Sequence, residues 1–279
     1  AKIGSGTLTL GTNNIYAGST QVRQGTLRIP TQGNIGRTTG LTVNGATLQI
    51  DGGNAVIYPL DNWPSNADAW NAHIADSTFN ETAGYFGYSG YLELGNTTAT
   101  LTGGRSFVGL ECLLGWTGTN TTVNISGSHV ADWYVTRFHG GNISLNLLSG
   151  GTLYSDQLFS LGATGVIRFD GGTLGMSSRD PWRTPDDWIY VLLGSLTLNV
   201  EDGGAIIDTA NGNATIRLPL QRDGSSSGGL AKTGANTLTL AALSTYAGAT
   251  AVQGGTLKLA QQPVPVPIVN AGFELPAYP

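Results

Sequence analysis

Charged residues and cysteine are both scarce in this sequence. Only 11% of the 279 residues are charged, against about a quarter in an ordinary soluble domain. The 13 basic and 18 acidic residues leave a net charge of −5. This balance argues against a nucleic-acid partner, because phosphate contacts need basic groups. The single cysteine, Cys112, excludes an intramolecular disulfide, and its apolar surroundings predict a small buried side chain.

Long apolar runs are also missing, as are the residue patterns of common catalytic and cofactor sites. No run approaches the ~18 apolar residues of a membrane-spanning helix, so we expect no membrane span. His73, His129 and His139 do not have the mutual spacing of metal ligands. The glycine-rich stretches lack the Gly-Lys-Ser/Thr of a phosphate loop. We therefore expect no metal, no cofactor and no catalytic residues.

Glycine is abundant, with 42 residues, and it belongs to an internal repeat. Residues 1–30 and 231–260 align without a gap and are identical at 15 of 30 positions. Each copy contains an alternating Thr-Leu-Thr-Leu strand, a Tyr-Ala-Gly turn and a Gly-Thr-Leu strand. Gly25 and Gly255 are predicted to need a positive φ angle, which a side chain would resist. Related Gly-Thr-Leu modules recur at residues 44–48, 149–153, 170–174 and 202–206.

The spacing of these modules predicts the fold class. Gly25 and Gly45 are 20 residues apart, and Gly151 and Gly172 are 21 apart. A strand–turn–strand unit of this length cannot bury its own apolar face, but stacked copies can. The sequence therefore predicts an all-β, right-handed parallel β-solenoid on the order of 50 Å long, with a β-sandwich as the alternative. The side chains predicted to point inward are Leu8, Leu10, Val22, Leu27, Ile29, Leu238, Leu240, Val252, Leu257 and Leu259.

The repeated residues resemble the autotransporter-associated β-strand repeat, in which a Lys-x-Gly and a Thr-Leu-Thr-Leu precede a Tyr-x-Gly and a final Gly-Thr-Leu. The resemblance covers residues 1–30 and 231–260 well, and the middle only through its Gly-Thr-Leu modules. It implies a large secreted or surface-displayed bacterial protein with a β-helical passenger, located outside the cell or on its surface. It implies no particular activity, since a fold does not determine a function.

Two aromatic-rich segments interrupt the repeat, at about residues 54–93 and 176–191. The first contains Ser65, which could cap a short helix over residues 65–76. We interpret both segments as ordered insertions packed by their own aromatic rings on the flank of the solenoid. A sugar-binding surface is the alternative, with contacts from Trp63, Trp70, Trp182 and Trp188. A hydrolase cleft is a further alternative, and its carboxylates would be either Asp61 and Asp68, or Asp180, Asp186 and Asp187.

The composition changes after residue 262, where the predicted solenoid of residues 1–262 ends. Residues 263–267 alternate proline and valine, and they are predicted to be an extended linker. Residues 268–275 then supply one apolar strand without a partner nearby in the sequence. It could begin a further domain, or it could be a donor strand that completes a neighbouring subunit by β-augmentation. The anchors of such a donor strand would be Ile268, Val269, Phe273 and Leu275.

The two most regular repeats stand at the ends, where a soluble solenoid would be expected to carry polar caps. The chain is then either a piece of a longer array or one whose ends join something else. We favour a non-enzymatic extracellular structural protein that polymerises head to tail with copies of itself into a filament. An adhesin or carbohydrate-binding passenger that contacts an extracellular polysaccharide is the alternative, and a polysaccharide-degrading β-helix enzyme is a third interpretation. The predicted subunit interface includes Leu8, Leu10, Leu238 and Leu240.

Overall fold

A computed structural model describes residues 1–57, 71–116, 120–177 and 188–259, and within these ranges it contains strands and no helix. The strands are β1 Thr7–Thr9, β2 Ala17–Val22, β3 Thr26–Pro30, β4 Arg37–Asn44, β5 Thr47–Ile57, β6 Asn71–Ala75, β7 Thr78–Tyr88, β8 Tyr91–Gly95, β9 Thr98–Leu101, β10 Arg105–Leu114, β11 Asn120–Ile125 and β12 Val130–Phe138. They continue with β13 Asn142–Leu148, β14 Thr152–Asp170, β15 Thr173–Gly175, β16 Ile189–Val200, β17 Ala205–Asp208, β18 Ala214–Ile216, β19 Leu220–Arg222, β20 Leu230–Thr233, β21 Thr237–Leu240, β22 Thr250–Val252 and β23 Thr256–Leu259.

The strands lie in three stacks, which form the three faces of a solenoid. Face 1 runs from β1 and β3 to β19, through β5, β7, β9, β11, β13, β14 and β16. Face 2 runs from the second half of β5 to β22. Face 3 runs from Lys2 and β2 to β23. Each coil passes faces 1, 2 and 3 in that order, and long strands such as β14 bend from one face to the next.

All pairings between the named strands are parallel, which confirms the predicted parallel β-solenoid. The alternative β-sandwich is wrong, because its sheets would be built from antiparallel strands. Side chains alternate between the core and the surface along each strand, as in β13, where Ile143, Leu145 and Leu147 are buried. Residues in register form inward columns along the axis, so the short coils share one continuous apolar core.

The predicted inward side chains are buried wherever a described coil lies on both sides. Val22, Leu27, Ile29, Leu238 and Leu240 are buried, and Leu10 and Leu257 are half-buried. In contrast, Leu8, Val252 and Leu259 are 42%, 50% and 69% exposed, although each is in register with a buried inward side chain of the adjacent coil. The reason is their position in the first or last described coil, where no further coil covers them.

Two glycines of the repeat occupy the conformation that the sequence predicts. Gly25 and Gly255 have φ angles of 71° and 64°. A Cβ atom on Gly25 would lie 2.3 Å from the carbonyl oxygen of Gly6 in the preceding coil. The corner therefore excludes a side chain both by its backbone conformation and by its close approach to the preceding coil.

The predicted boundaries of the aromatic insertions are too wide. The part of the predicted helix that the structure describes, Asn71–Ala75, is strand β6 of face 3. Strands β7 and β8 continue the coil, and Phe79 and Phe86 pack inside it with ring centroids 5.2 Å apart. These aromatic side chains belong to the core rather than to an insertion. Residues 58–70 and 178–187 lie outside the described residues, and the chain re-enters face 3 after both.

Candidate functional site

The two copies of the repeat have the same local structure on different faces of the solenoid. In the first copy, Lys2 pairs with Val22 on face 3, and β1 pairs with β3 on face 1. In the second copy, the equivalent Lys232 and Val252 lie on face 2, and β21 and β23 lie on face 3. The copies are thus related by a translation along the axis combined with a rotation by one face.

The lysine of each copy binds the backbone of its own repeat. Lys232 Nζ donates to the carbonyl oxygens of Thr233, Gly234 and Gly254 at 2.7, 2.7 and 2.8 Å. It also donates to Thr209 Oγ1 of the preceding coil at 2.6 Å. The side chain is fully buried, and this burial lowers the pKa of Lys232, an effect that nearby Asp208 opposes. The lysine is therefore a structural cation that holds three successive coils together.

Lys2 repeats this arrangement without the contact from a preceding coil. Its Nζ donates to the carbonyl oxygens of Ile3, Gly4 and Gln24 at 3.1, 2.5 and 2.9 Å. These three acceptors correspond one by one to those of Lys232. No described residue takes the place of Thr209, because Lys2 lies in the first described coil.

The structure divides the predicted subunit-interface residues into two groups. Leu8 and Leu10 lie in the first described coil, where part of each side chain is accessible. Leu238 and Leu240 are buried instead, because β23 pairs with β21 and covers them, so the prediction that they lie at an interface is corrected. The accessible positions of the last described coil are Val252 and Leu259. The four tail residues Ile268, Val269, Phe273 and Leu275 lie outside the described residues.

The outward side of face 3 carries a ladder of charged and aromatic side chains. Arg137 donates to Glu111 at 2.8 Å, and its guanidinium lies 5.1 Å from the centre of the Phe159 ring. The Phe159 and Tyr190 rings stack with centroids 5.1 Å apart and an interplanar angle of 11°. Because the ring faces contact each other along the axis, they stabilise neighbouring coils rather than offering a free face to a ligand.

The structure describes one of the four tryptophans that were predicted to contact a sugar. Trp63, Trp70 and Trp182 lie outside the described residues. Trp188 is fully buried, and its Nε1 donates to the Ser155 carbonyl oxygen at 2.8 Å, so its ring has no face free for a sugar. An exposed aromatic that sequence reasoning missed is Trp116, which is 44% exposed and packs on the His139 ring at 4.2 Å.

A buried serine and histidine form the only described pair that suggests nucleophilic catalysis. Ser106 Oγ lies 3.0 Å from His129 Nε2, and His129 Nδ1 lies 3.1 Å from the Gly103 carbonyl oxygen. Trp133 Nε1 donates to Ser106 Oγ at 3.0 Å, which leaves the serine proton for the histidine. Burial lowers the pKa of His129, consistent with a neutral ring. Both side chains are inaccessible, so the pair satisfies core polar groups and does not form an active site.

Glu201 and Asp223 lie 3.4 and 3.6 Å from Arg168 Nε. Burial and the neighbouring Asp170 and Asp223 raise the pKa of Glu201, the accessible acid of this cluster in the described ranges. The five predicted carboxylates, Asp61, Asp68, Asp180, Asp186 and Asp187, all lie outside them. Within the described ranges, no group of three or more His, Cys, Asp and Glu side chains is placed to hold a metal ion. The most strongly perturbed acid there is Glu81, which is fully buried on the inward side of face 1.

Glu81 occupies a position that the neighbouring coils fill with aliphatic side chains. It lies in register between Ile50 and Leu101, both of which are buried. Neither carboxyl oxygen forms a hydrogen bond of normal geometry, although the backbone N–H groups of Arg105 and Phe86 favour its charged form slightly. Burial dominates and raises the pKa of Glu81 to about 9. Glu81 is therefore a neutral acid at pH 7.

The repeat also matches a known family model. Residues 1–29 and 230–259 match the passenger-associated-transport-repeat. The match covers both copies of the repeat, and these copies are coils of a continuous parallel β-solenoid. The family match and the parallel β-solenoid together fit an autotransporter passenger-type β-helix repeat protein.

The chain has no match among curated proteins, and the search of solved structures found none either. The family match supports a secreted or surface-displayed β-helix protein. No helix in the described ranges is long and apolar enough to span a membrane. The repeat thus gives the architecture and the general class of the protein, whereas a specific role has to be argued from its surfaces.

Proposed function

We propose that this β-solenoid is a non-enzymatic structural protein outside the cell or on its surface, and that it associates end to end with copies of itself. The observation that carries the proposal is the accessibility of inward-pointing side chains in the first and last described coils. Leu8, Val252 and Leu259 are core positions by their alternation, yet they are about half exposed. Apolar core side chains that remain accessible favour a further coil as the partner.

The backbone of the same coils supports this proposal. Among the described residues, β1 pairs only with β3, β22 only with β20, and β23 only with β21. Each of these strands thus has one edge whose N–H and C=O groups can pair with a further parallel strand. Because the two end surfaces differ, their contact is heterologous and does not close into a ring, which favours a filament.

Lysine substitutions in the last described coil are expected to prevent this association. In the double variant Val252→Lys, Leu259→Lys, two charges would replace the apolar side chains that a docking coil has to cover. We expect the intact chain to form oligomers that lengthen with concentration, and the double variant to remain monomeric at least tenfold higher in concentration. Sedimentation velocity and electron microscopy measure this difference.

Thr197→Lys on the outward side of face 1 is the matched control, because it adds a charge at an exposed, outward side-chain position two coils before the last described coil. It should assemble like the unmodified chain. The donor-strand prediction is tested separately by deleting residues 263–279, which should leave monomers or short, heat-sensitive oligomers. A monodisperse intact chain at high concentration would contradict the proposal, and unchanged filaments after the deletion would contradict the donor strand alone.

We also expect the chain to have no polysaccharide-cleaving activity. Of the accessible carboxylates in the described ranges, Glu201 and Asp223 hydrogen-bond to each other beside Arg168, so they are closer together than the two carboxyl groups that glycoside hydrolysis needs. Reducing-end assays with neutral and acidic polysaccharides should therefore show no turnover above buffer. Turnover that is abolished by Asp61→Ala or Asp186→Ala would overturn the non-enzymatic assignment.

A further inference from the structure

A polar groove follows the corner between face 3 and face 1 across four successive coils. Its floor contains Thr26, Thr47, Thr78 and Thr98, which are in register on the outward side of face 1. Their spacing is that of neighbouring strands, about 4.8 Å. The groove encloses about 490 Å³ and is open along its length. One hydroxyl per coil thus recurs at an interval close to the length of one sugar unit in an extended glycan.

Hydrogen bonds hold the walls of the groove in one conformation. Thr97 is buried, and its Oγ1 contacts the carbonyl oxygens of Ile74 and Gly95 at 2.8 and 2.9 Å. The Ala46 N–H donates to Ser77 Oγ at 3.2 Å, and this bond connects two adjacent coils. A ligand would therefore meet a preorganised surface, which reduces the conformational entropy lost on binding.

Two polar residues of the groove stand where the neighbouring coils have glycine. Gly25, Gly45, Asp76 and Asn96 all follow a strand of face 3, and all have positive φ angles, of 71°, 63°, 50° and 47°. A non-glycine residue in this conformation costs on the order of 1 kcal/mol. Asp76 and Asn96 carry that cost with their side chains exposed at the groove.

The side chains of Asp76 and Asn96 are fixed by a contact to each other. Asn96 Nδ2 donates to Asp76 Oδ1 at 2.7 Å. Asp76 Oδ2 and Asn96 Oδ1 have no hydrogen-bond partner among the described residues, so both can accept hydrogen bonds from a ligand. The strain thus places two acceptors beside the row of threonine hydroxyls.

The chemistry of the groove selects the class of ligand. Its lining has one carboxylate, one amide and several hydroxyls, and contains no Lys, Arg or His. Such a surface repels anions and offers hydrogen bonds to neutral hydroxyl groups. We infer that the groove binds an extended neutral glycan, one sugar unit per coil, along the axis of the solenoid. This inference is independent of end-to-end association, because the groove lies on the side of the coils.

Removal of the central hydroxyls is expected to weaken this binding. Thr47→Val combined with Thr78→Val keeps the β-branched shape of both residues and removes two hydrogen-bonding groups. Isothermal titration calorimetry with cellohexaose, xylohexaose and mannohexaose would measure neutral ligands, and oligogalacturonate would serve as the anionic probe. We expect at least one neutral probe to bind, and the double variant to bind it about tenfold more weakly. Circular dichroism confirms that the variant is folded.

Thr197→Val is the matched control, since Thr197 lies on the same face outside the groove and should leave the affinity unchanged. Asp76→Asn keeps the side-chain shape, and loss of the charged acceptor should also weaken the binding of the neutral probe. Three results would each overturn the inference: no neutral probe binds at millimolar concentration, the anionic probe binds more tightly, or the double variant binds like the unmodified chain.

Discussion

Glu81→Leu is expected to stabilise the protein at pH 7 by about 3 kcal/mol, although it removes a charged residue type. The carboxyl lies between Ile50 and Leu101 in an apolar column, and its burial raises its pKa to about 9. At pH 7 the unfolded chain ionises this group, whereas the folded chain has to keep it protonated. The expected magnitude follows from the interval of about 2.5 pH units between the ordinary value of 4.5 and pH 7, at about 1.4 kcal/mol per pH unit.

The direction in which the free energy of unfolding changes with pH identifies Glu81 as the group that causes the change. Below pH 4.5 both states hold the proton, so Glu81 adds no pH dependence there. From pH 4.5 to about 9 only the folded state holds it, and the free energy of unfolding falls as the pH rises. Chemical denaturation of the unmodified chain and of Glu81→Leu at several pH values should give curves that separate with increasing pH.

Glu81→Gln is the control that separates titration from packing. It keeps the shape and a polar end, but it cannot ionise. Its stability should match that of the unmodified chain near pH 4.5 and exceed it at pH 7, whereas Glu81→Leu should be more stable at both values because it also fills the column. Parallel pH profiles for all three proteins would show that Glu81 is ionised in the folded state.

Lys232→Met is expected to destabilise the protein by about 3 kcal/mol or more. The methionine would fill a similar volume, but three partly buried carbonyl oxygens and the buried Thr209 Oγ1 would lose their contact with the ammonium group. Each unsatisfied buried polar group costs about 1–3 kcal/mol. Urea denaturation followed by circular dichroism measures the change.

Lys2→Met is the matched control within the same chain. Lys2 has the three equivalent carbonyl partners, but it is in the first described coil and is only half-buried. Water can replace the ammonium there, so in dilute protein the expected cost is about 1 kcal/mol or less. Equal losses for the two variants would show that the contact to Thr209 and the burial of Lys232 do not matter.

The fold could be predicted from the repeat where the Gly-Thr-Leu modules are present. Gly25 and Gly255 are conserved between the two copies, and their conformations agree with the prediction. In the middle, Asp76 and Asn96 occupy the corresponding corner, so the glycine signal disappears although the coil continues. Because of this substitution and of the aromatic core residues Phe79 and Phe86, the sequence pattern of these regular coils was interpreted as an insertion.

The candidate sites were less predictable because they depend on which strands become neighbours. Glu81 gave a local signal, as it stands at an inward position of the alternating strand β7. The groove gave no local signal in the sequence, because the residues of its floor are 20 to 31 positions apart. Only the register of the strands brings these residues together. The rotation between the two repeats was also hidden, because corners of unequal length separate the faces.

The one-face rotation between the repeats affects how a surface built by gene duplication would present its side chains. If both copies carried the same exposed residue, for example at the positions of Gln21 and Ala251, the two side chains would point in different directions around the axis. Tandem duplication would then place successive copies of a binding determinant in different directions around the solenoid axis. A cell or a polymer that approaches from any of several directions could contact one such determinant, and the solenoid would not need a flexible segment to reorient it.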